Sequence, residues 1–208
     1  MNQHAMFLRL RNLSRLIPAL LASALLAACS PAATEPAQDP PLKGADIGGA
    51  FELVGGDGKA VRWSDFDGQY RIVYFGFTFC PDICPTDTQR MIQGLEIFAD
   101  KRPQLAAKIQ PMFISIDPSR DTPEKVSEFA AAFSEDLIGL TGSEEQVKAA
   151  ADTFRVYYSR GEDTPGGGYL MDHSAVVYLF GPAGEPLATL PTDQGAQSVA
   201  AELAKWVN

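Results

Sequence analysis

Arg71-Ile72-Val73-Tyr74-Phe75-Gly76-Phe77 is a continuous apolar, aromatic and β-branched run, and it leads directly into Cys80. A strand without polar alternation is buried on both faces, so it belongs at the centre of a sheet covered on each side. The flanking patterns supply the covering layers. Residues 51–54 and 60–63 bracket Gly55-Gly56-Asp57-Gly58 as an N-terminal β-hairpin. Met91, Ile92, Leu95 and Phe98 recur at helical spacing and predict a helix over about 86–100. Residues 109–116 read as a second buried strand. Asp121-Thr122-Pro123-Glu124 supplies a cap, an N1 proline and an acid for a helix carrying Val126, Phe129, Ala130 and Phe133. Ser143-Glu144-Glu145-Gln146 opens another by capping-box logic, running to about Phe154. A short strand at 156–159, strands at 174–180 and 187–190 around Gly181-Pro182-Ala183-Gly184, and a helix over about 194–207 complete the chain.

Strands alternating with helices imply an α/β fold with a partly parallel sheet, and the terminal hairpin adds antiparallel strands. With two cysteines after the first central strand and at the head of the next helix, the pattern resembles the thioredoxin fold. Its hairpin-extended, peroxiredoxin-like variant fits best, as one domain over 42–208.

The first 28 residues carry three charges, Arg9, Arg11 and Arg15, and a 13-residue apolar stretch from Leu16 to Ala28. A bilayer-spanning helix takes roughly 20 residues, so this is the pattern of a secretory signal, with a transmembrane segment as the alternative. Leu26-Ala27-Ala28-Cys29 resembles the bacterial lipobox, which implies lipidation of Cys29 as the first mature residue. A cysteine that merely neighbours a plain cleavage site is the alternative. The polar, Pro-rich residues 29–41 cannot pack and read as a flexible tether. The expected organisation is a lipoprotein signal peptide over 1–28, a tether over 29–41 and an exported, membrane-anchored domain facing the periplasm or cell exterior.

Net charge narrows the partners. Seventeen basic residues face 26 acidic ones, and from Cys29 onward the balance is 14 against 26. Binding nucleic acid needs a basic footprint to displace counterions, so no nucleic-acid partner is expected.

Beyond Cys29, the thiols are Cys80 and Cys84 in Cys80-Pro81-Asp82-Ile83-Cys84. If this segment enters the helix, the two side chains share one face. A helix N-terminus also favours thiolates, the metal-binding form. A plain disulfide or two buried small apolar residues are the alternatives. His4 falls in the signal segment, which leaves His173, in Met171-Asp172-His173-Ser174, as the one imidazole of the mature chain. It precedes the strand at 174–180, whose start lies near the thiols in a thioredoxin fold, although a lone histidine can also be structural. The preceding loop, 160–169, holds Gly161, Gly166, Gly167 and Gly168, which give it freedom to bring His173 in or release it. Two thiolates and one imidazole suit Cu(I) and accept Cu(II), whereas a closed structural zinc site wants a fourth ligand. Asp172 and Met171 have no feature that separates an orienting or ligating role from an ordinary one, and stay outside the set.

The residues 75–85 (Phe-Gly-Phe-Thr-Phe-Cys-Pro-Asp-Ile-Cys-Pro), 114–123 (Ile-Ser-Ile-Asp-Pro-Ser-Arg-Asp-Thr-Pro) and Asp172-His173-Ser174 strongly resemble the Sco/SenC family. The resemblance runs from about residue 42 to the C-terminus. It implies a membrane-tethered, thioredoxin-like metallochaperone that assists assembly of the CuA centre of cytochrome c oxidase. By similarity, Cys80, Cys84 and His173 are the copper ligands. The implied partners are the oxidase CuA subunit and a copper donor; a thioredoxin-like reductant would keep the thiols open in an oxidising exterior. Phe79 is a departure, since many relatives have a histidine or another residue before the first cysteine, and it lies outside the implied ligand set. Three other readings use the same features: a thiol-disulfide oxidoreductase reducing the CuA-site cysteines through Cys80 and Cys84; a thiol peroxidase, against which Phe77 stands where a Thr or Ser is usual; and a lipoprotein with one structural disulfide.

Overall fold

A computed structural model describes residues 38–165 and 167–208. The expected signal peptide, most of the tether and Cys29 lie outside the described residues. The strands are β1 Glu52–Gly55, β2 Ala60–Arg62, β3 Tyr70–Gly76, β4 Ile109–Ser115, β5 Ile138–Thr141, β6 Tyr158–Asp163, β7 Tyr169–His173, β8 Val177–Phe180 and β9 Pro186–Leu190. The helices are α1 Ile83–Lys101, α2 Pro103–Ala106, α3 Pro123–Ala131, α4 Glu144–Thr153 and α5 Ala196–Trp206. Seven strands form one sheet in the order β2-β1-β5-β4-β3-β8-β9, and β6 and β7 pair separately as a hairpin. β3, β4 and β5 are parallel, while β1, β2, β8 and β9 join through antiparallel pairs. This is the hairpin-extended thioredoxin-like arrangement that the sequence predicts.

All seven residues of β3 are buried, and the pleat sends alternate side chains into different layers. Tyr74 meets Phe113 edge-on, with ring centroids 5.9 Å apart. Phe75 packs against Phe154 at 5.4 Å, within an aromatic cluster that includes Phe51, Trp63 and Phe180. Arg71 is fully buried there. It keeps its charge compensated by Asp67 at 2.9 Å and by the face of Trp63 at 4.4 Å. Gly94 lets α5 approach α1, because a Cβ there would stand 2.4 Å from Val199 Cγ1.

Three readings of the sequence need correction. β5 was not predicted, although Ile138-Gly139-Leu140-Thr141 continues the parallel sheet beside β4. The expected loop over 160–169 is largely strand: β6 and β7 pair from Tyr158↔His173 to Asp163↔Tyr169. His173 therefore ends β7, and the strand expected from Ser174 begins only at Val177. α1 begins at Ile83, three residues earlier than its apolar spacing suggests.

Candidate functional site

Cys80 and Cys84 are free thiols, both buried. Cys84 is the second residue of α1, but Cys80 lies before the Asp82 N-cap, so the two do not share a helical face as expected. Proline disfavours helical backbone in the residue before it, and Pro81 thus keeps Cys80 out of the helix. The Cys80 sulfur instead accepts the Cys84 N–H at 3.3 Å, one of the amides left unpaired in a first helical turn.

The environment drives the two thiols apart. The hydrogen bond from the Cys84 side chain, aided by the N–H groups of Cys84, Asp82 and Ile83, outweighs burial and pulls the Cys80 pKa down to about 5. Cys84 is pushed up by donating that hydrogen bond and by its own burial. At neutral pH Cys80 is the thiolate and Cys84 the protonated partner. Tyr74 lies beneath them, its phenol held neutral chiefly by burial and then by the charge near Cys84. Its O–H donates to Asp87 at 3.3 Å.

His173 reaches this pair from β7, with Nε2 3.5 Å from Cys84 Sγ. Its Nδ1 lies 3.1 Å from the Ser174 carbonyl oxygen, which can only accept. Nδ1 therefore carries the proton, and the Nε2 lone pair is left for the sulfur side. Ser174 is fixed in turn by its N–H to Tyr157 O at 2.9 Å. The orienting role weighed for Asp172 belongs to this carbonyl; Asp172 is exposed. Met171 lines the cleft beside His173.

A metal bound at typical S and N distances of about 2.3 and 2.0 Å would see donors 3.5 Å apart at an angle of about 110°. That angle is an unstrained one. Among the described residues no three His, Cys, Asp or Glu side chains form a ready-made metal cage; Cys84 and His173 form a candidate donor pair, with the Cys80 sulfur beside it. Gly76 makes room for it, since a Cβ there would be 2.8 Å from the Phe113 ring and 3.2 Å from Cys84 Sγ.

Cys80 and His173 line a cleft of about 510 Å³ together with Phe77, Ile83, Tyr157 and Leu170. Ile83, Tyr157 and Leu170 are exposed apolar side chains on its rim, and Phe79 is exposed beside Cys80. Sequence reasoning missed Asp121. This fully buried carboxylate accepts from Thr78 N–H at 3.0 Å, from Thr78 Oγ1 and from Ser115 Oγ, both at 2.6 Å, and so pins the segment entering Cys80. Its place just before the Thr122 N-cap gives no sign of these partners.

A family model described as SCO1/SenC matches residues 39–208. The chain belongs to the SCO1/SenC family. It is 40% identical over 158 residues to human "Protein SCO1 homolog, mitochondrial", covering 76% of this chain and 52% of that protein. It is 38% identical over 156 residues to a "SCO2-like protein" of Rickettsia felis, covering 74% and 73%. The chain spans about half the length of the first curated relatives it matches. Among solved structures, Arabidopsis thaliana ScoI with copper bound superposes with a TM-score of 0.71 at 38% identity, covering 76% of this chain and 96% of that one. The SCO1/SenC fold thus spans the sheet, the cysteine loop and the His173 hairpin of this chain.

Proposed function

We propose that this chain is a copper metallochaperone that holds copper through Cys80, Cys84 and His173 and delivers it to the CuA centre of cytochrome c oxidase. The observation that supports this reading most is the 3.5 Å approach of His173 Nε2 to Cys84 Sγ, between residues 89 apart in sequence. Cys80 is poised as the first donor, already a thiolate and the sulfur that lines the cleft. Cys84 joins when it gives up its proton, and His173 closes the set with a lone pair already aimed at Cys84. Release reverses the order by ligand exchange, with the acceptor's own soft donors replacing these.

In this reading, residues 1–28 are a lipoprotein signal peptide, Cys29 is the lipidated anchor, 29–41 are the tether and 42–208 carry the copper site. The domain faces the periplasm or cell exterior, takes copper from a separate donor, and has its thiols kept reduced by a thioredoxin-like partner. No helix among the described residues is long and apolar enough to cross a membrane. In this reading acyl chains on Cys29 hold the domain at the membrane.

The test is transfer. Copper-loaded protein is mixed with the copper-free CuA-bearing domain of the oxidase, and the CuA absorption should grow at the donor's expense. Cys80→Ser and Cys84→Ser should abolish loading. A protein that transfers no copper but reduces an oxidised CuA domain would favour the oxidoreductase reading, which the low pKa of Cys80 also suits.

A further inference from the structure

The β6–β7 hairpin that carries His173 lies outside the seven-stranded sheet, so its placement depends on contacts of its own. The strongest come from the loop between β4 and α3. Arg120 Nη1 donates to Tyr169 O at 2.8 Å, and the Tyr169 hydroxyl donates to Asp117 Oδ1 at 2.8 Å. Arg120 Nε is paired with the other oxygen of Asp117, a buried carboxylate. The guanidinium carbon is 3.6 Å from the Tyr169 ring centre and 4.8 Å from that of Phe79, the residue before Cys80. Phe77 lies at 5.9 Å. Arg120 Nη2 is buried without a hydrogen-bond partner among the described residues. The cation's setting on that side is therefore aromatic, where a partly desolvated guanidinium binds a ring more strongly than in water.

We propose that Arg120, with Asp117 and Tyr169, is a positioning clamp that holds the His173 hairpin against the Cys80 loop and so sets whether the imidazole can reach the thiols. Arg120 touches both carriers at once: Tyr169 is four residues before His173 on β7, and Phe79 adjoins Cys80. A lysine keeps the charge above the rings but loses the fork that reaches Asp117 and Tyr169 O together. The clamp acts on the site described under Proposed function and rests on that reading only for its consequence for copper.

The test begins without metal. Amide hydrogen exchange is compared in the reduced full chain of wild type, Arg120→Ala, Arg120→Lys and Tyr169→Phe. Arg120→Ala should lose about tenfold or more protection at the β7 amides while β3 and β4 keep theirs; Arg120→Lys should recover part of it, and Tyr169→Phe should lose a few-fold. If Arg120→Ala weakens protection throughout the sheet, the two milder variants decide. With Cu(II) added, Arg120→Ala should lose the imidazole nitrogen coupling in electron paramagnetic resonance and keep thiolate-to-copper absorption. Unchanged β7 protection in all three variants would overturn the clamp. A wild type with no thiolate-to-copper absorption would overturn the copper reading instead, and the exchange data would still decide the clamp.

Discussion

The splitting of the two thiols can be tested by the pH dependence of alkylation. Cys80 is 9% exposed and opens onto the cleft, whereas Cys84 is fully buried, so iodoacetamide should modify Cys80 first. With a pKa of about 5 in place of an ordinary 9, Cys80 is about 99% thiolate at pH 7 where an ordinary thiol is about 1%. That hundredfold gain in reactive form is nearly cancelled. Nucleophilicity falls with basicity at a Brønsted slope of about 0.4–0.5, which over four units costs about 40- to 100-fold. The rate at pH 7 is therefore uninformative, and the inflection carries the signal. The rate should reach its plateau by about pH 6–7, with a midpoint near 5. Cys84→Ala removes the side-chain donor, the largest cause of the shift, so its midpoint should rise. A wild-type midpoint at 8–9, or a Cys84→Ala midpoint that does not move, would refute the assignment. Linkage has a matching sign. A thiol depressed by folding contributes stability that is fully present above its unfolded pKa, so the reduced protein should lose that contribution as pH falls from about 9 to 5.

Three further outcomes follow from the same geometry. Because Cys80 is already ionised and Cys84 is not, copper binding near pH 7 should release close to one proton per site; calorimetry in buffers of different ionisation enthalpy would contradict this with a value near two or zero. Gly76→Ala forces a methyl against Phe113 and Cys84 Sγ, and should cost about 1–3 kcal/mol in denaturant unfolding; an unchanged midpoint would show that the neighbours yield. Asp121→Asn turns an acceptor toward three donors into a partial donor and should cost about 1–3 kcal/mol, and an unaffected unfolding midpoint would deny Asp121 its anchoring role.

The sheet centre was legible because β3 and β4 write their burial directly into composition: every residue of β3 is buried, and so is all of β4 except Gln110. The capped helices were equally readable, with Thr122 and Ser143 accepting the N3 amides as their motifs predict. β5 was missed because four residues with a glycine carry little pattern, and Gly139 serves packing: a Cβ there would stand 2.3 Å from Val126 O. The β6–β7 hairpin was hidden for a different reason. Its strands are polar and half-exposed, and three described glycines at 161, 167 and 168 read as loop. The proposed donors Cys80, Cys84 and His173 were legible as residue types at suggestive places. Their unequal roles were not, since these depend on Pro81 holding Cys80 out of α1 and on the Ser174 carbonyl fixing the imidazole proton. Asp121 and Arg120 tie segments about 40 or more residues distant in sequence, Thr78 and Tyr169, and no local pattern announces such partners.

Spectroscopic copper titration of the reduced protein, with and without His173, tests the central claim most directly. Wild type should bind one Cu(II) per chain with thiolate-to-copper absorption and imidazole nitrogen coupling, and His173→Ala should lose the nitrogen signal and bind more weakly. Identical stoichiometry, spectrum and affinity in the two proteins would contradict it.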